Sequence, residues 1–375
     1  FSIYRGRGDE SSLRLGIVHA FGLILCVTLM LNAAVYLFLE PILRFLQVPE
    51  SVAPGMREYL LIIFAGLLAT SLYNYLSCLL RALGNSTVPL VFLAVSAMLN
   101  IGLDLLFIIT FRWGVAGAAI ATVISQVASC AFVLCVLFGK HIEVPITFGG
   151  YDLKVIGRVT SIGMSAFLII LFDNVMLISL NMMLQRYGGD NSDMLLTCNT
   201  IVQSFELLIT MPLGGLTMGT QTILGYNLGA RRPEKILRAQ RYIFVIAVSF
   251  CALMTLAAQT IPHLFAGIFT KEPEYIAMTA RLIRIYTLGT VLLGMQYEIV
   301  DGFTGMGVVK IALPLSVFRK VVFFACIFIL PRFLPIEQIF FCEPISDIIP
   351  PLVSILVYAL TIKRVINRGP QKQTA

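Results

Sequence analysis

Arg81-Ala-Leu-Gly-Asn-Ser-Thr-Val-Pro89-Leu-Val-Phe-Leu-Ala-Val-Ser-Ala-Met-Leu-Asn100-Ile-Gly-Leu-Asp104-Leu-Leu-Phe-Ile-Ile-Thr110 joins a polar turn to a long apolar run. Between Val88 and Phe111 the only ionisable side chain is Asp104. A helix needs roughly 20 mainly apolar residues to cross lipid, and the run of about 88–111 supplies them. Nine more runs of this kind occupy about 15–39, 59–80, 114–138, 160–184, 194–219, 242–268, 278–300, 311–334 and 345–362. Over the 375 residues 58% are hydrophobic and 13% charged, with mean hydropathy +0.91; a soluble domain carries about a quarter charged residues. The pattern predicts an all-α polytopic membrane protein of ten spans, which leaves little chain for a soluble enzyme domain.

The net charge of +7 does not point to nucleic acid, because the aromatics lie inside the apolar runs and do not interleave with Lys and Arg in one patch. Topology is the better use of the cations, since they concentrate in cytoplasmic loops. With the first segment cytoplasmic, that side receives 19 of the 27 Lys and Arg, among them Arg81, Lys140, Arg231, Arg232, Lys235, Arg319, Lys320 and Lys363. Both termini are therefore expected in the cytoplasm and the chain in the plasma membrane. Eight cysteines fall in or beside the apolar runs without a CxxC, and His19, His141 and His263 lie far apart, so no metal or cofactor is expected beyond a coupling ion.

An internal repeat organises the chain. Gly6-Arg7-Gly8-Asp9-Glu10, a long run, Val48-Pro49-Glu50 and a run ending Arg81-Ala-Leu-Gly84 parallel Leu228-Gly229-Ala-Arg231-Arg232, a long run, Lys271-Glu-Pro-Glu274 and a run ending Thr304-Gly-Met-Gly307. Pairing Gly8 with Gly229 and Gly84 with Gly307 puts the offset at about 222 residues. The expected organisation is a first lobe over 1–140, a linker over 141–153 where Pro145, Gly149 and Gly150 interrupt the pattern, and a second lobe over 154–375. The runs at 160–184 and 194–219 have no counterpart in the first copy, so the first lobe is expected to lack two N-terminal spans of a twelve-span whole.

Ionisable groups inside a membrane are costly and mark function by default. Asn100 and Asp104 are four residues apart and share a helix face, offering a carboxylate and an amide oxygen to a hard cation or a proton; the plainer reading is a structural hydrogen bond near a span end. Asp173-Asn174 lies mid-span, with Asn181 further along. Glu206 with Gln203 is a further candidate, and Glu298 with Asp301, close to the end of their span, a weaker one. Tyr73, Asn74 and Gln126 can line a polar cavity or join helices through hydrogen bonds. Pro212-Leu-Gly-Gly-Leu with Gly219 and Gly225 is expected to kink its span, and Gly114-Val-Ala-Gly-Ala-Ala-Ile-Ala-Thr122 to pack closely. No phosphate loop or HExxH motif is present.

In order along the chain, Arg81-Ala-Leu-Gly-Asn-Ser-Thr-Val-Pro89, Asn100-Ile-Gly-Leu-Asp104, Gly114–Thr122, Met211-Pro-Leu-Gly-Gly and Glu343-Pro-Ile-Ser-Asp347 resemble the MATE (multidrug and toxic compound extrusion) family. The resemblance implies two pseudo-symmetric bundles of six helices and alternating access. It implies efflux of organic cations or drugs by antiport of Na⁺ or H⁺, with Asn100, Asp104 and Thr122 at the coupling site. Asp173 falls where some branches carry a second-lobe acid, while Val308 falls where their further acid would stand. Asp173, Asn174, Glu206, Gln203, Tyr73, Asn74 and Gln126 form the expected substrate cavity or second polar site. The expected partners are the lipid bilayer and a small organic cation or drug, with the protein a monomer. A lipid-linked oligosaccharide flippase of the same superfamily would want a cavity rich in Arg and Lys, which the first-lobe spans lack; a non-transporting membrane protein is the remaining alternative.

Overall fold

The computed structural model describes residues 1–45, 50, 52–138 and 152–368, so most of the expected linker 141–153 lies outside the described residues. The chain divides into two compact units, Phe1–Val159 and Thr160–Ala375. The first holds α1 (Ser2–Arg7), α2 (Glu10–Phe45), α3 (Ala53–Ala82), α4 (Thr87–Asp104) and α5 (Gly114–Phe138). Next come α6 (Leu153–Tyr187), α7 (Ser192–Gly229), α8 (Pro233–Thr260), α9 (Pro262–Phe269), α10 (Pro273–Tyr286), α11 (Thr290–Gly305), α12 (Val309–Phe333) and α13 (Cys342–Arg368). The boundary between units falls a few residues inside α6. Ten helical stretches among the described residues are long and apolar enough to cross a membrane, four in the first unit and six in the second.

The second unit repeats the first down to single backbone angles. Gly8 and Arg231 both take the left-handed conformation (φ 71° and 55°), as do Gly84 and Gly307 (φ 99° and 76°). Each ends a helix with the same pair of bonds. Asn85 N–H reaches Leu80 O and Gly84 N–H reaches Arg81 O, matched by Val308 to Phe303 and Gly307 to Thr304. This closure satisfies carbonyls that the helix end would leave orphaned. Both separations are 223 residues. The register therefore pairs Gly8 with Arg231 and not with Gly229: the left-handed backbone is what repeats, and the second copy places an Arg in it.

The same register holds inside the helices. Helical geometry breaks at Phe38 (φ −112°, ψ 18°) in α2 and at Ile261 (φ −123°, ψ 29°) between α8 and α9. Different prolines cause the two breaks. Pro41 removes the bond to residue 37 and crowds its carbonyl, whereas Pro262 disfavours the helical basin for the residue before it. At Pro212, where a kink was expected, α7 runs as one helix from Ser192 to Gly229; neighbouring backbone can absorb one lost bond in a membrane helix.

Gly66 and Gly289, again 223 apart, are points of close approach. A Cβ on Gly66 would stand 2.6 Å from the Val123 side chain, and one on Gly289 2.5 Å from Asp347 Cβ and 3.2 Å from Pro344 O. Between helices bathed in lipid, apolar burial adds little, and small residues that let backbones close up carry the packing. These contacts seat α3 on α5 and the turn before α11 on α13. Gly289→Ala is expected to cost about 1–3 kcal/mol through overpacking, read as a lower melting temperature of the detergent-solubilised protein. Gly214→Ala, with no atom within 4 Å of its Cβ, is the control and should leave melting unchanged or slightly raised.

Candidate coupling and substrate sites

The polar interior of the second unit is organised by α12. Its helix carries Arg319 and Lys320 to the middle of an apolar run, where both are buried. Arg319 Nη1 donates to Glu343 Oε1 at 3.4 Å and to Asp347 Oδ1 at 3.3 Å, both acids lying in the first turns of α13. Glu206 on α7 is buried within electrostatic reach of Arg319 and Glu343, and its Oε1 has no hydrogen-bond partner. Lys320 pairs with Asp173 of α6, whose side chain is 46% exposed. A cavity of about 100 Å³ opens between these groups, lined by Asp173, Gln296, Tyr297, Asp301, Ser316, Arg319 and Lys320 among others.

Charge counting decides what this region favours. Two buried cations face three buried acids, Glu206, Glu343 and Asp347, together with the more exposed Asp173, while Asp301 is half-buried and held by Thr217 and Gln221. Unpaired charge is severely penalised in a low-dielectric interior, so an excess of acids there attracts protons or cations.

Arg319 and Lys320 correct the topology reading, which counted them among the cytoplasmic loop cations. They lie well inside the apolar run 311–334, a position that by itself marks a functional or structural ion pair. Glu343 and Asp347, both in Glu343-Pro-Ile-Ser-Asp347, are functional residues that sequence reasoning does not single out. Of the second-lobe candidates, the fold brings Asp173 to the cavity and Glu206 to the Arg319 cluster. Gln203 turns aside and donates to Tyr286 Oη at 2.9 Å. Asn174 is exposed and donates back to Ile170 O at 2.8 Å on its own helix, while Asn181 accepts from Asn199 at 2.7 Å.

In the first unit Asp104 is the last residue of α4 and adjoins a π-helical stretch, Leu105–Thr110. Such local widening recurs at functional sites; the equivalent part of α12 is plain α-helix. Asp104 Oδ1 and Asn100 Nδ2 are buried without hydrogen-bond partners. Thr122, on the neighbouring α5, donates to Ala118 O at 3.0 Å, which leaves its oxygen lone pairs free. A buried carboxylate oxygen without a partner, with an amide one turn away on its own helix, suits a hard cation or a proton. Elsewhere in the unit the candidates scatter: Tyr73 donates to Pro89 O at 3.3 Å, Asn74 is exposed, and Gln126 buries an unpartnered Oε1. Among the described residues no cluster of His, Cys, Asp and Glu suits a transition metal, and all eight cysteines are free.

The family model described as MatE matches residues 2–106 and 165–329. The chain belongs to the MatE family. It is 30% identical over 234 residues to the probable multidrug resistance protein YpnP of Bacillus subtilis, covering 62% of this chain and 51% of that one. It is 29% identical over 254 residues to the multidrug export protein MepA of Staphylococcus aureus, covering 66% and 54%. The chain thus spans about half the length of these curated relatives. In fold it resembles the Vibrio cholerae MATE transporter VcmN in its bent form (TM-score 0.87, 21% identity, 98% of this chain and 84% of that one). An outward-facing multidrug resistance MATE family transporter is equally similar (TM-score 0.90, 20% identity, 97% and 82%). The protein is a multi-pass membrane protein with the MATE fold.

Within that fold, Arg319 is hydrogen-bonded to both Glu343 and Asp347. Arg319→Met leaves both acids buried and unpaired, a change worth about 3–5 kcal/mol when one partner of a buried pair is removed. We expect it to abolish the monodisperse peak in detergent size-exclusion chromatography. Arg319→Lys, which retains charge but loses the forked geometry, should keep a reduced peak.

Proposed function

We propose that the protein is a secondary active exporter of organic cations or drugs, driven by antiport of Na⁺ or H⁺ through alternating access. The observation that carries this reading is the buried, unpartnered Asp104 Oδ1 at the junction of α4 with the π-helical stretch. Asn100, one turn before Asp104, and Thr122 of α5 are the proposed further oxygen donors of the site. When bound there, the ion or proton supplies the positive charge that Asp104 lacks in the apolar interior. Asp104 then holds that charge, and Asn100 and Thr122 orient it. A ligand drives a conformational equilibrium only by binding one state better than the other, and a carboxylate whose neutralisation removes a desolvation cost meets that requirement.

The substrate class follows from the second unit. Around Arg319 and Lys320 the acids Asp173, Glu206, Asp301, Glu343 and Asp347 outnumber the two bases, so a cationic, partly apolar molecule is favoured in the adjoining cavity, which Asp173 and Asp301 line. The flippase alternative gains nothing from Arg319 and Lys320, since each is already engaged by acids. The names of YpnP and MepA, which speak of multidrug resistance and export, agree with this reading. We further place the chain in the plasma membrane as a monomer with both termini cytoplasmic.

The test is Asp104→Asn in the full-length protein, expressed in a bacterium stripped of its own efflux pumps and followed by ethidium efflux. Efflux should fall to the background of cells without the protein while its amount in the membrane is unchanged. Export equal to the parent's would overturn the coupling role of Asp104.

A further inference from the structure

A second group of polar side chains lies apart from the Arg319 cluster, between α8, α11 and α13. Glu298 is 0% exposed, and neither carboxyl oxygen has a hydrogen-bond partner. Gln240 on α8 is 1% exposed; its Oε1 accepts from Tyr358 Oη at 2.9 Å, while its Nε2 has no partner. Gly302, one turn beyond Glu298, faces the space between them. A Cβ built there would stand 3.1 Å from Gln240 Nε2, 3.6 Å from Glu298 Oε1 and 3.5 Å from Leu224 Cδ1.

The internal repeat explains how the space arose. In the register of 223 residues, Glu298 stands where the first unit has Tyr75, Gly302 where it has Leu79, and Gln240 where it has Ile17. In the first unit Tyr75 and Leu79 are buried, and the Tyr75 hydroxyl is satisfied by Ile17 O at 2.7 Å. The second unit has exchanged a filled, satisfied contact for an acid, an amide and a glycine. A packing contact alone gives no reason for that exchange, because a buried acid without partners is costly.

We propose that Glu298 is a proton-binding site of the second unit, with the Gln240 amide as the partner that responds to its protonation. Ionised, the carboxylate attracts Gln240 Nε2 across the lane that Gly302 leaves open. Protonated, it releases the amide. Because Gln240 also holds Tyr358, each change reaches α13. The proton enters from the cavity through Asp301, one turn along the same helix, by transfer from the Asp301 carboxyl to the Glu298 carboxylate. The titratable groups facing Glu298 are Asp301 of α11 and Tyr358 of α13. From α8 the facing group is the uncharged Gln240 and from α7 the apolar Leu224, while the α12 cations Arg319 and Lys320 lie on the cavity side with Asp301. That this proton exchanges during export rests on the reading above; that Glu298 binds it does not.

Infrared difference spectroscopy of the purified protein in lipid, titrated with acid and base in H₂O and D₂O, tests the binding directly. The parent should show a carboxylic-acid carbonyl band that shifts in D₂O and disappears as pH rises, absent from Glu298→Gln. Gly302→Ala, which intrudes on the lane, should keep the band and move its frequency or its titration midpoint. A Glu298→Gln spectrum that retains every band of the parent would overturn the proposal. So would a Gly302→Ala band indistinguishable from the parent's, or a Glu298 band that persists through the whole titration. A parent protein that shows these bands as expected but exports no drug would count against the exporter reading alone.

Discussion

A guanidinium inside a membrane bundle costs several kcal/mol unless anions surround it, and the architecture of the second unit follows from that constraint. Arg319 is held by Glu343 and Asp347, which requires the first turns of α13 to pack against the middle of α12. Asp347 in turn lies against Gly289, where only a hydrogen fits. The backbone approach of the turn before α11 and the ion pair of α12 are thus one contact read from two sides. With two acids already committed to Arg319, Glu206 is left with an oxygen that no donor reaches, so it is free to answer to a proton or a cationic ligand.

Among its described residues the first unit shows no buried ion pair of this kind. Its core around Tyr73, Tyr75, Leu76 and Leu80 is apolar and aromatic, and Asp104 sits where α-helix gives way to π-helix. Two copies of one helical plan therefore carry different chemistry. The shared parts are backbone features, namely the left-handed helix ends, the breaks at Phe38 and Ile261, and the glycines at 66 and 289. Side chains such as Tyr75 and Glu298, at equivalent places, have diverged.

The spans and the repeat were legible because they rest on composition and on Gly and Pro, whose backbone effects are strong. The exact register was not, because matching letters paired Gly8 with Gly229 when the left-handed position of the second copy is Arg231. Arg319 and Lys320 were misread for a related reason: a charge tally along the chain cannot tell a loop cation from one that is buried and paired. Asp104 and Glu206 stood out from sequence because acids in apolar runs are rare. Glu298 was undervalued because its distance from the span end says nothing of Gly302 and Gln240, which make its surroundings. The π-helical stretch has no sequence signature, since Leu105–Thr110 is as apolar as any α-helical turn.

Buried acids without matching cations in both units are what the proposed exchange of positive charge rests on. The measurement that tests this most directly is dye transport by the full-length protein in proteoliposomes under imposed ion gradients without nucleotide. The account predicts that dye movement follows an opposing gradient of Na⁺ or of H⁺ and stops when that gradient is collapsed. Dye movement that ignores both gradients would contradict it.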